Sequence, residues 1–179
     1  RAVQRGVRVR ILTNSLASND APLAHAGYAR HRQELLDMGV QLYELRSVQP
    51  GSRSTLRSSA GQISGSSGQS RAMLHTKLMV MDGQLTVVGS MNLDMRSQLQ
   101  NTEIALLVAS RKLSAEAARN IEESLDESAW HVTLEDGKRL LWRAPSGSDW
   151  GDQTSEPDAS LPLRMLIRLI GPLAPDHLL

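Results

Sequence analysis

The residues best suited to chemistry lie between positions 75 and 92. His75 and Lys77 stand two residues apart in a predicted strand, so their side chains leave the same face of the sheet. Ser90 and Asn92 repeat this spacing after the next predicted strand. Lys77, Ser90 and Asn92 are therefore predicted to hold the non-bridging oxygens of a phosphate. Neutral His75 is predicted to attack phosphorus, which indicates phosphoryl or phosphatidyl transfer.

The composition of the chain excludes several other kinds of site. Its 179 residues contain no cysteine, which excludes disulfides, iron–sulfur clusters, zinc–thiolate centres and a thiol nucleophile. The candidate set is not carboxylate-rich, so we expect no metal site and no cofactor. A net charge of +1, with 20 basic and 19 acidic residues, gives little support for a nucleic-acid partner.

The elements that must position these residues begin with a strand, a helix and a second strand. Alternating apolar and charged residues predict a strand over 7–12. Helical periodicity over 22–38 ends at Gly39, and a β-branched start leads into a strand over 40–45. This order is typical of a βαβ unit, which predicts an α/β fold with a mixed sheet flanked by helices.

Two Asp-Gly pairs predict hairpins. Asp82-Gly83 separates apolar runs at 74–81 and 85–88, and Asp136-Gly137 separates 132–135 from 138–142. A further strand is predicted over 103–108. It leads to a surface helix that Ser110 caps and that turns an apolar residue to the sheet every fourth position.

Glycine and serine dominate positions 50–71, which predicts a long mobile loop within a domain spanning 1–145. Positions 146–179 are predicted to form a loose linker and a short basic amphipathic tail helix. That helix, over 161–173, carries Arg164 and Arg168 on one face. It either lies at a membrane interface or docks on its own domain. No apolar run is long enough for a transmembrane helix.

Six fixed positions in this region resemble the signature of the phospholipase D superfamily. That signature reads H-x-K, four residues, D, six residues, then G-S/G-x-N. The matching residues are His75, Lys77, Asp82, Gly89, Ser90 and Asn92. Because both identity and spacing agree over eighteen residues, the resemblance is specific.

The resemblance implies a role for each residue. His75 would form a covalent phosphohistidine, Lys77 and Asn92 would bind phosphate oxygens, and Asp82 would be structural, pairing near the lysine. A carboxylate further along the chain usually orients the imidazole, and Glu103 is the candidate. The alternative for Glu103 is a solvated charge at a strand edge.

Outside the signature, the chain is similar to the C-terminal half of bacterial cardiolipin synthases, most of all to their C-type branch. Positions 7–16, 40–45 and 89–107 carry this similarity, together with the tail. It implies phosphatidylglycerol-like substrates and a peripheral position on the cytoplasmic side of the bacterial inner membrane. His25 and Tyr28 either line the head-group side or simply stack on each other.

The chain contains a single signature, whereas the family builds its site from two. One histidine then acts as nucleophile and the other as the acid that protonates the leaving group. Since Arg1 falls inside a repeat, we expect an incomplete chain whose partner signature lies upstream. The alternative is a homodimer in which each copy contributes one signature. The alternative functions are a phospholipase D-like phosphodiesterase or nuclease and an inactive membrane-binding remnant.

Overall fold

A computed structural model describes residues 1–47, 73–92 and 102–170. The predicted loop at 50–71 lies outside these ranges. After a 3₁₀ turn at Val3–Arg5, the elements in chain order are β1 (Arg10–Asn14), α1 (Pro22–Ala29), α2 (Arg32–Asp37), β2 (Gln41–Leu45), β3 (Lys77–Met81), β4 (Leu85–Gly89), β5 (Ala105–Ala109), α3 (Arg111–Glu127), β6 (Ala129–Glu135), β7 (Arg139–Arg143) and α4 (Leu161–Ile170).

The strands form two sheets. One has the order β1-β2-β6-β7, in which β1 and β2 are parallel and the other pairs antiparallel. The other is the antiparallel sheet β3-β4-β5. Helix α3 packs against strands of both sheets. The predicted α/β class, with a mixed sheet flanked by helices, is confirmed.

The main core belongs to the four-stranded sheet and is built from Leu42, Trp130, Val132 and Trp142. Ile11, Tyr28 and Leu36 are among the partly buried side chains that pack against it. A smaller cluster joins Leu16, Ala26 and Ile167, so α4 packs on α1 and on the segment between β1 and α1.

The helix predicted over 22–38 was wrong in one respect, because the chain forms two helices there. The N–H of His31 bonds to the carbonyl of Tyr28, three residues back, which tightens the chain between α1 and α2. This turn lets Tyr28 and Arg32 both bond to Glu44 of β2. Helical periodicity alone does not reveal a break that a tertiary contact stabilises.

Both predicted hairpins are confirmed. Asp82 and Gly83 have φ angles of 52° and 61°, and Asp136 and Gly137 have φ angles of 52° and 67°. Two successive residues with positive φ form the turn that matches the twist of paired strands. The predicted cap of α3 is also confirmed, because Ser110 Oγ accepts from the N–H of Leu113.

The segment between β7 and α4 follows the domain surface. Trp142 and Gln153 exchange two backbone hydrogen bonds of 2.9 Å, and Asp152 accepts from the N–H of Ala144. Glu156 pairs with Arg32. The division of the chain at residue 145 stays a prediction. Across the described ranges, no helix combines the length and apolar character that crossing a bilayer requires.

Candidate active site

All the predicted site residues except Asp82 gather at one end of the three-stranded sheet. Lys77 is paired with Gly89, which is paired with Ala105. The residues just before β3, just after β4 and just before β5 therefore meet at this end. These residues include His75, Ser90, Asn92 and Glu103.

His75 and Lys77 lie close enough to act on one ligand. Lys77 Nζ is 3.4 Å from His75 Nε2 and donates a 3.0 Å hydrogen bond to the backbone carbonyl of His75. His75 is exposed and Lys77 is half-buried. The arrangement places a fixed positive charge beside a ring nitrogen that can act as a nucleophile.

Ser90 and Glu103 form a second pair at this end of the sheet. Ser90 Oγ donates to Glu103 Oε2 and accepts from the N–H of Ile104 at 3.1 Å. The hydroxyl proton therefore points to the carboxylate. This contact places Glu103 on Ser90, while its predicted action on the imidazole of His75 stays a prediction.

Gly89 allows β4 to approach β5 closely where this pair forms. A Cβ atom added to Gly89 would lie 2.2 Å from the carbonyl oxygen of Ile104 and 2.9 Å from Cα of Ala105. Both neighbours are backbone atoms that cannot turn away. The glycine of the signature therefore has a steric role here.

The other two signature residues lie differently. Asn92 follows Ser90 by two residues and is exposed at the same end of the sheet. Asp82 lies in the β3–β4 turn, at the opposite end of β3 from Lys77. Five residues of strand separate them by roughly 16 Å, so the structure does not bring Asp82 to the His75 end.

The sequence prediction missed Asn14, the last residue of β1. Its side-chain Nδ2 donates to the carbonyl of Leu74 at 2.8 Å, and its Oδ1 accepts from the N–H of Leu74 at 2.7 Å. Asn14 thus fixes both backbone groups of the residue that precedes His75. The available sequence signal was a run of polar residues, 13–15, closing the first predicted strand.

The second predicted pair, His25 and Tyr28, belongs to a buried polar cluster. Their ring centroids are 5.7 Å apart and the rings meet edge to face, which favours the alternative of a mutual contact, although the rings are not stacked. Arg32 is buried, donates to Glu44 at 2.7 Å and to Glu156 at 2.5 Å, and has Nη2 2.9 Å from Nε2 of His25.

Two further donors complete the cluster at Glu44. The hydroxyl of Tyr28 and the indole N–H of Trp142 each donate to this carboxylate at 2.9 Å. Burial by itself raises the pKa of the Glu156 carboxyl, but the hydrogen bond with His25 and the charge of Arg32 outweigh burial and lower the pKa to about 2. In the described ranges, no three histidine or acidic side chains gather as metal ligands would.

Comparisons with known proteins agree with the predicted family. Residues 1–125 match the family described as cardiolipin synthase, PLD-like domain. Cardiolipin synthase C of Escherichia coli (strain K12) is 38% identical over 179 residues, which are 100% of this chain and 37% of that protein. Cardiolipin synthase A of Edwardsiella ictaluri (strain 93-146) is 30% identical over 142 residues, or 79% of this chain and 24% of that protein.

An uncharacterized protein of Helicobacter pylori (strain J99 / ATCC 700824) is 31% identical over 164 residues, which are 92% of this chain and 30% of that protein. The chain thus spans between 24 and 37% of the length of these relatives. No solved structure matches the chain. Since the family match covers well over half of the residues, the chain belongs to the cardiolipin synthase, phospholipase D-like domain family.

Proposed function

We propose that this chain supplies one half of an active site that transfers a phosphatidyl group in cardiolipin synthesis. The observation that carries the proposal is the His75–Lys77 pair, with Lys77 Nζ 3.4 Å from His75 Nε2 at an open end of the sheet. Family membership and the similarity to cardiolipin synthases C and A support a phospholipid substrate.

In the proposed reaction, neutral His75 attacks the phosphorus of a phospholipid such as phosphatidylglycerol. A phosphohistidine forms, the head-group alcohol leaves, and an acid supplies the proton that this alcohol needs. A hydroxyl of a second phosphatidylglycerol then attacks the phosphorus and gives up its proton, which releases the histidine and yields cardiolipin. Water in place of that hydroxyl would give phospholipase D activity.

The charged and polar groups around His75 would stabilise the transition state. Lys77, Ser90 and Asn92 would bind the non-bridging oxygens, whose negative charge grows as the histidine attacks. Ser90 Oγ now donates to Glu103, so binding a phosphate there requires the hydroxyl to turn. Asp82, at the far end of β3, keeps a structural role in the proposal.

The proposal needs a second H-x-K unit facing this one. The other four histidines of the chain are each followed two residues later by a residue other than lysine, so this chain carries one signature. The second unit would come from a longer polypeptide or from a second copy of the chain. It would supply the acid for the leaving group.

A head-group exchange assay tests the role of His75. Phospholipid vesicles are incubated with the parent chain and its variants, alone and with an added H-x-K unit, and products are measured by mass spectrometry. His75→Ala should lower the rate about a thousandfold or more, because it removes the nucleophile. The matched control is His31→Ala, another exposed histidine, which should leave the rate unchanged.

Three outcomes would contradict the proposal. Unchanged exchange by the His75→Ala variant would remove His75 from the chemistry. Cleavage of a nucleic acid instead of phospholipid would favour the nuclease alternative. Membrane binding without turnover, both for the chain alone and with the added H-x-K unit, would favour an inactive remnant. Activity that appears as the chain dimerises would favour a second copy over a longer polypeptide as the source of the partner unit.

We also place the protein peripherally at the cytoplasmic face of a bacterial inner membrane. The support is the similarity to cardiolipin synthases and the basic, apolar helix α4. Cell fractionation followed by a wash at high pH would release a peripheral protein. Retention in the washed membranes would contradict this placement.

A further inference from the structure

Helix α4 is apolar on two opposite faces. On the inner face, Ile167 is buried against Leu16 and Ala26, and Leu163 packs on the same cluster. On the outer face, the large apolar side chains recur every fourth position and point to solvent: Leu161, Met165 and Leu169 are 59, 63 and 71% exposed. A surface helix of a globular domain normally turns polar residues outward, so this outer face needs an explanation.

Helix α3 provides the contrast within the same domain. It covers strands of both sheets, and its outer positions carry exposed charges of both signs: Lys112, Glu116, Arg119 and Glu123. Helix α4 contains no acidic residue, and of its two arginines Arg168 is exposed and Arg164 is partly buried. The apolar outer face is therefore a property of α4 and not of surface helices in this domain generally.

We infer that the outer face of α4, formed by Leu161, Met165, Leu166, Arg168 and Leu169, docks on an anionic phospholipid surface. The inference rests on the proposed function, which makes a bilayer the source of substrate. Apolar side chains of an interfacial helix enter the boundary between head groups and acyl chains, and a neighbouring arginine pairs with anionic head groups. Ten residues extend about 15 Å, so α4 lies along the surface.

The chemistry of the outer face favours lipid over a protein partner. Its exposed groups are alkyl chains, one thioether and one cation. An ordinary protein interface contains about ten direct hydrogen bonds. The outer face of α4 has few side-chain groups that could form them. A fluid anionic surface requires only apolar contact and positive charge.

The fold also connects α4 to the candidate active site. Leu16, on which α4 packs, lies two residues beyond Asn14, and the Asn14 amide holds the backbone of Leu74 beside His75. Helix α4 is itself fixed, because Arg164 Nη1 donates to Ser155 Oγ at 2.7 Å. Docking α4 on a bilayer would therefore hold this end of β1, and the His75 segment bonded to it, near the lipid.

Vesicle flotation tests the inference. The full chain is floated with vesicles of phosphatidylcholine, with and without phosphatidylglycerol. The double variant Met165→Glu/Leu169→Glu should lower the partition coefficient on anionic vesicles about tenfold or more, because two apolar side chains leave the interface and two anions replace them. The thermal unfolding temperature should fall only slightly below that of the parent chain, because both side chains are exposed and a negative charge in the last turn of α4 is only mildly unfavourable.

A matched pair of single variants shows whether an added negative charge weakens vesicle binding only when it lies on the outer face of α4. Leu166 on α4 and Leu113 on α3 are 46 and 44% exposed. Leu166→Glu should weaken binding several-fold, whereas Leu113→Glu should leave it unchanged. The new glutamate at 113 lies in the first turn of α3, where a negative charge is favourable, so the control is expected to fold.

Undiminished flotation of the double variant would overturn the inference, and so would equal losses from Leu166→Glu and Leu113→Glu. A concentration-dependent dimer that the α4 variants abolish, with vesicle binding unchanged, would assign the face to a second copy and overturn it as well. Phosphatidyl transfer on detergent-dispersed lipid is measured in parallel. If the parent chain with its partner unit shows no transfer there, yet flotation depends on α4, the docking surface stands and the proposed function fails.

Discussion

The two sheets of this domain treat their apolar side chains in opposite ways. Buried residues of the four-stranded sheet, Leu42, Trp130, Val132 and Trp142, make the main core. In the three-stranded sheet, Met79, Met81, Leu106 and Leu107 are exposed, although every residue of β3 and β5 has a partner in β4. The sheet that holds the fold together is thus distinct from the sheet that carries the candidate chemistry.

Three of these exposed side chains, Met79, Met81 and Leu107, share a face with the candidate site, whereas Leu106 lies on the opposite face. Met79 pairs through Val87 with Leu107, and this line lies on the same side of the sheet as Lys77. Within the described ranges, apolar surface therefore flanks the His75–Lys77 pair. Contiguous apolar patches of this kind mark interaction surfaces. Docking of the proposed second H-x-K unit on this face would bury the apolar side chains and complete the site at the same time.

The largest expected loss of stability comes from a substitution in the buried polar cluster beside the four-stranded sheet. Arg32→Ala would leave Glu44 buried without its guanidinium partner. Removing one member of a buried ion pair costs about 3–5 kcal/mol, which lowers Tm by roughly 10 °C for a chain of this size. Arg139→Ala, which removes an exposed pair with Glu135, is the control for calorimetry and should shift Tm little. Equal shifts for the two variants would contradict the importance of the buried cluster.

The same substitution placed in each sheet measures the contrast directly. Leu42 is 0% exposed and Leu107 is 63% exposed. Leu42→Ala should lower the free energy of unfolding by about 2–5 kcal/mol, and Leu107→Ala by less than about 0.5 kcal/mol. Urea denaturation of the two variants checks the difference. Similar costs would mean that Leu107 is packed in solution, and the comparison between the sheets would fail.

Low pH should lower the stability of the folded state through protonation of Glu156, which pairs with Arg32 beside the four-stranded sheet. Its pKa of about 2 lies below the ordinary value of 4.5, so the folded state binds this proton less readily than the unfolded state. The resulting stability is present above about pH 5 and is lost as the pH falls from 4.5 to 2. It amounts to at most roughly 3 kcal/mol.

Unfolding free energies measured between pH 7 and pH 2.5 test this dependence against a Glu156→Gln variant. The variant cannot ionise at position 156, so its stability should fall less steeply over the same range. Parallel profiles for the two proteins would show that other carboxyls cause the acid dependence.

The parts of the molecule that local chemistry determines could be predicted from the sequence. The Asp-Gly turns, the Ser110 cap and the succession of strands around the signature depend on a few neighbouring residues, and the structure has them. The spacing of the signature also brought His75 and Lys77 together. The fold class followed from the alternation of strands and helices along the chain.

The features that long-range contacts determine could not be predicted. The break between α1 and α2 accompanies a contact of Arg32 with Glu44, and buried His25 contacts Glu156, 131 residues away in the chain. Asn14 contacts Leu74 across 60 residues. A polar residue at a strand end has many uses, and the sequence alone does not indicate its partner.

Asn14 also provides the smallest and most specific test, because it joins the two sheets. It belongs to β1, yet its side chain fixes the backbone just before His75. Since it does not belong to the phosphate-binding set, Asn14→Ala should lower kcat for phosphatidyl transfer about tenfold, a cost of about 1.4 kcal/mol, and change KM little. Steady-state kinetics with the partner unit present measures the two constants separately.

Two further variants show whether position or mere stability is responsible. Asn14→Asp keeps the acceptor for the N–H of Leu74 but loses the donor to its carbonyl, so its kcat should fall between those of the parent and Asn14→Ala. Asn19 also bonds to backbone, accepting from the N–H of Ala21 at 2.9 Å, but it does not contact the His75 segment. Asn19→Ala should therefore leave kcat unchanged. If Asn14→Ala raised KM and left kcat intact, the link between the sheets would serve binding of the lipid and not alignment of the nucleophile.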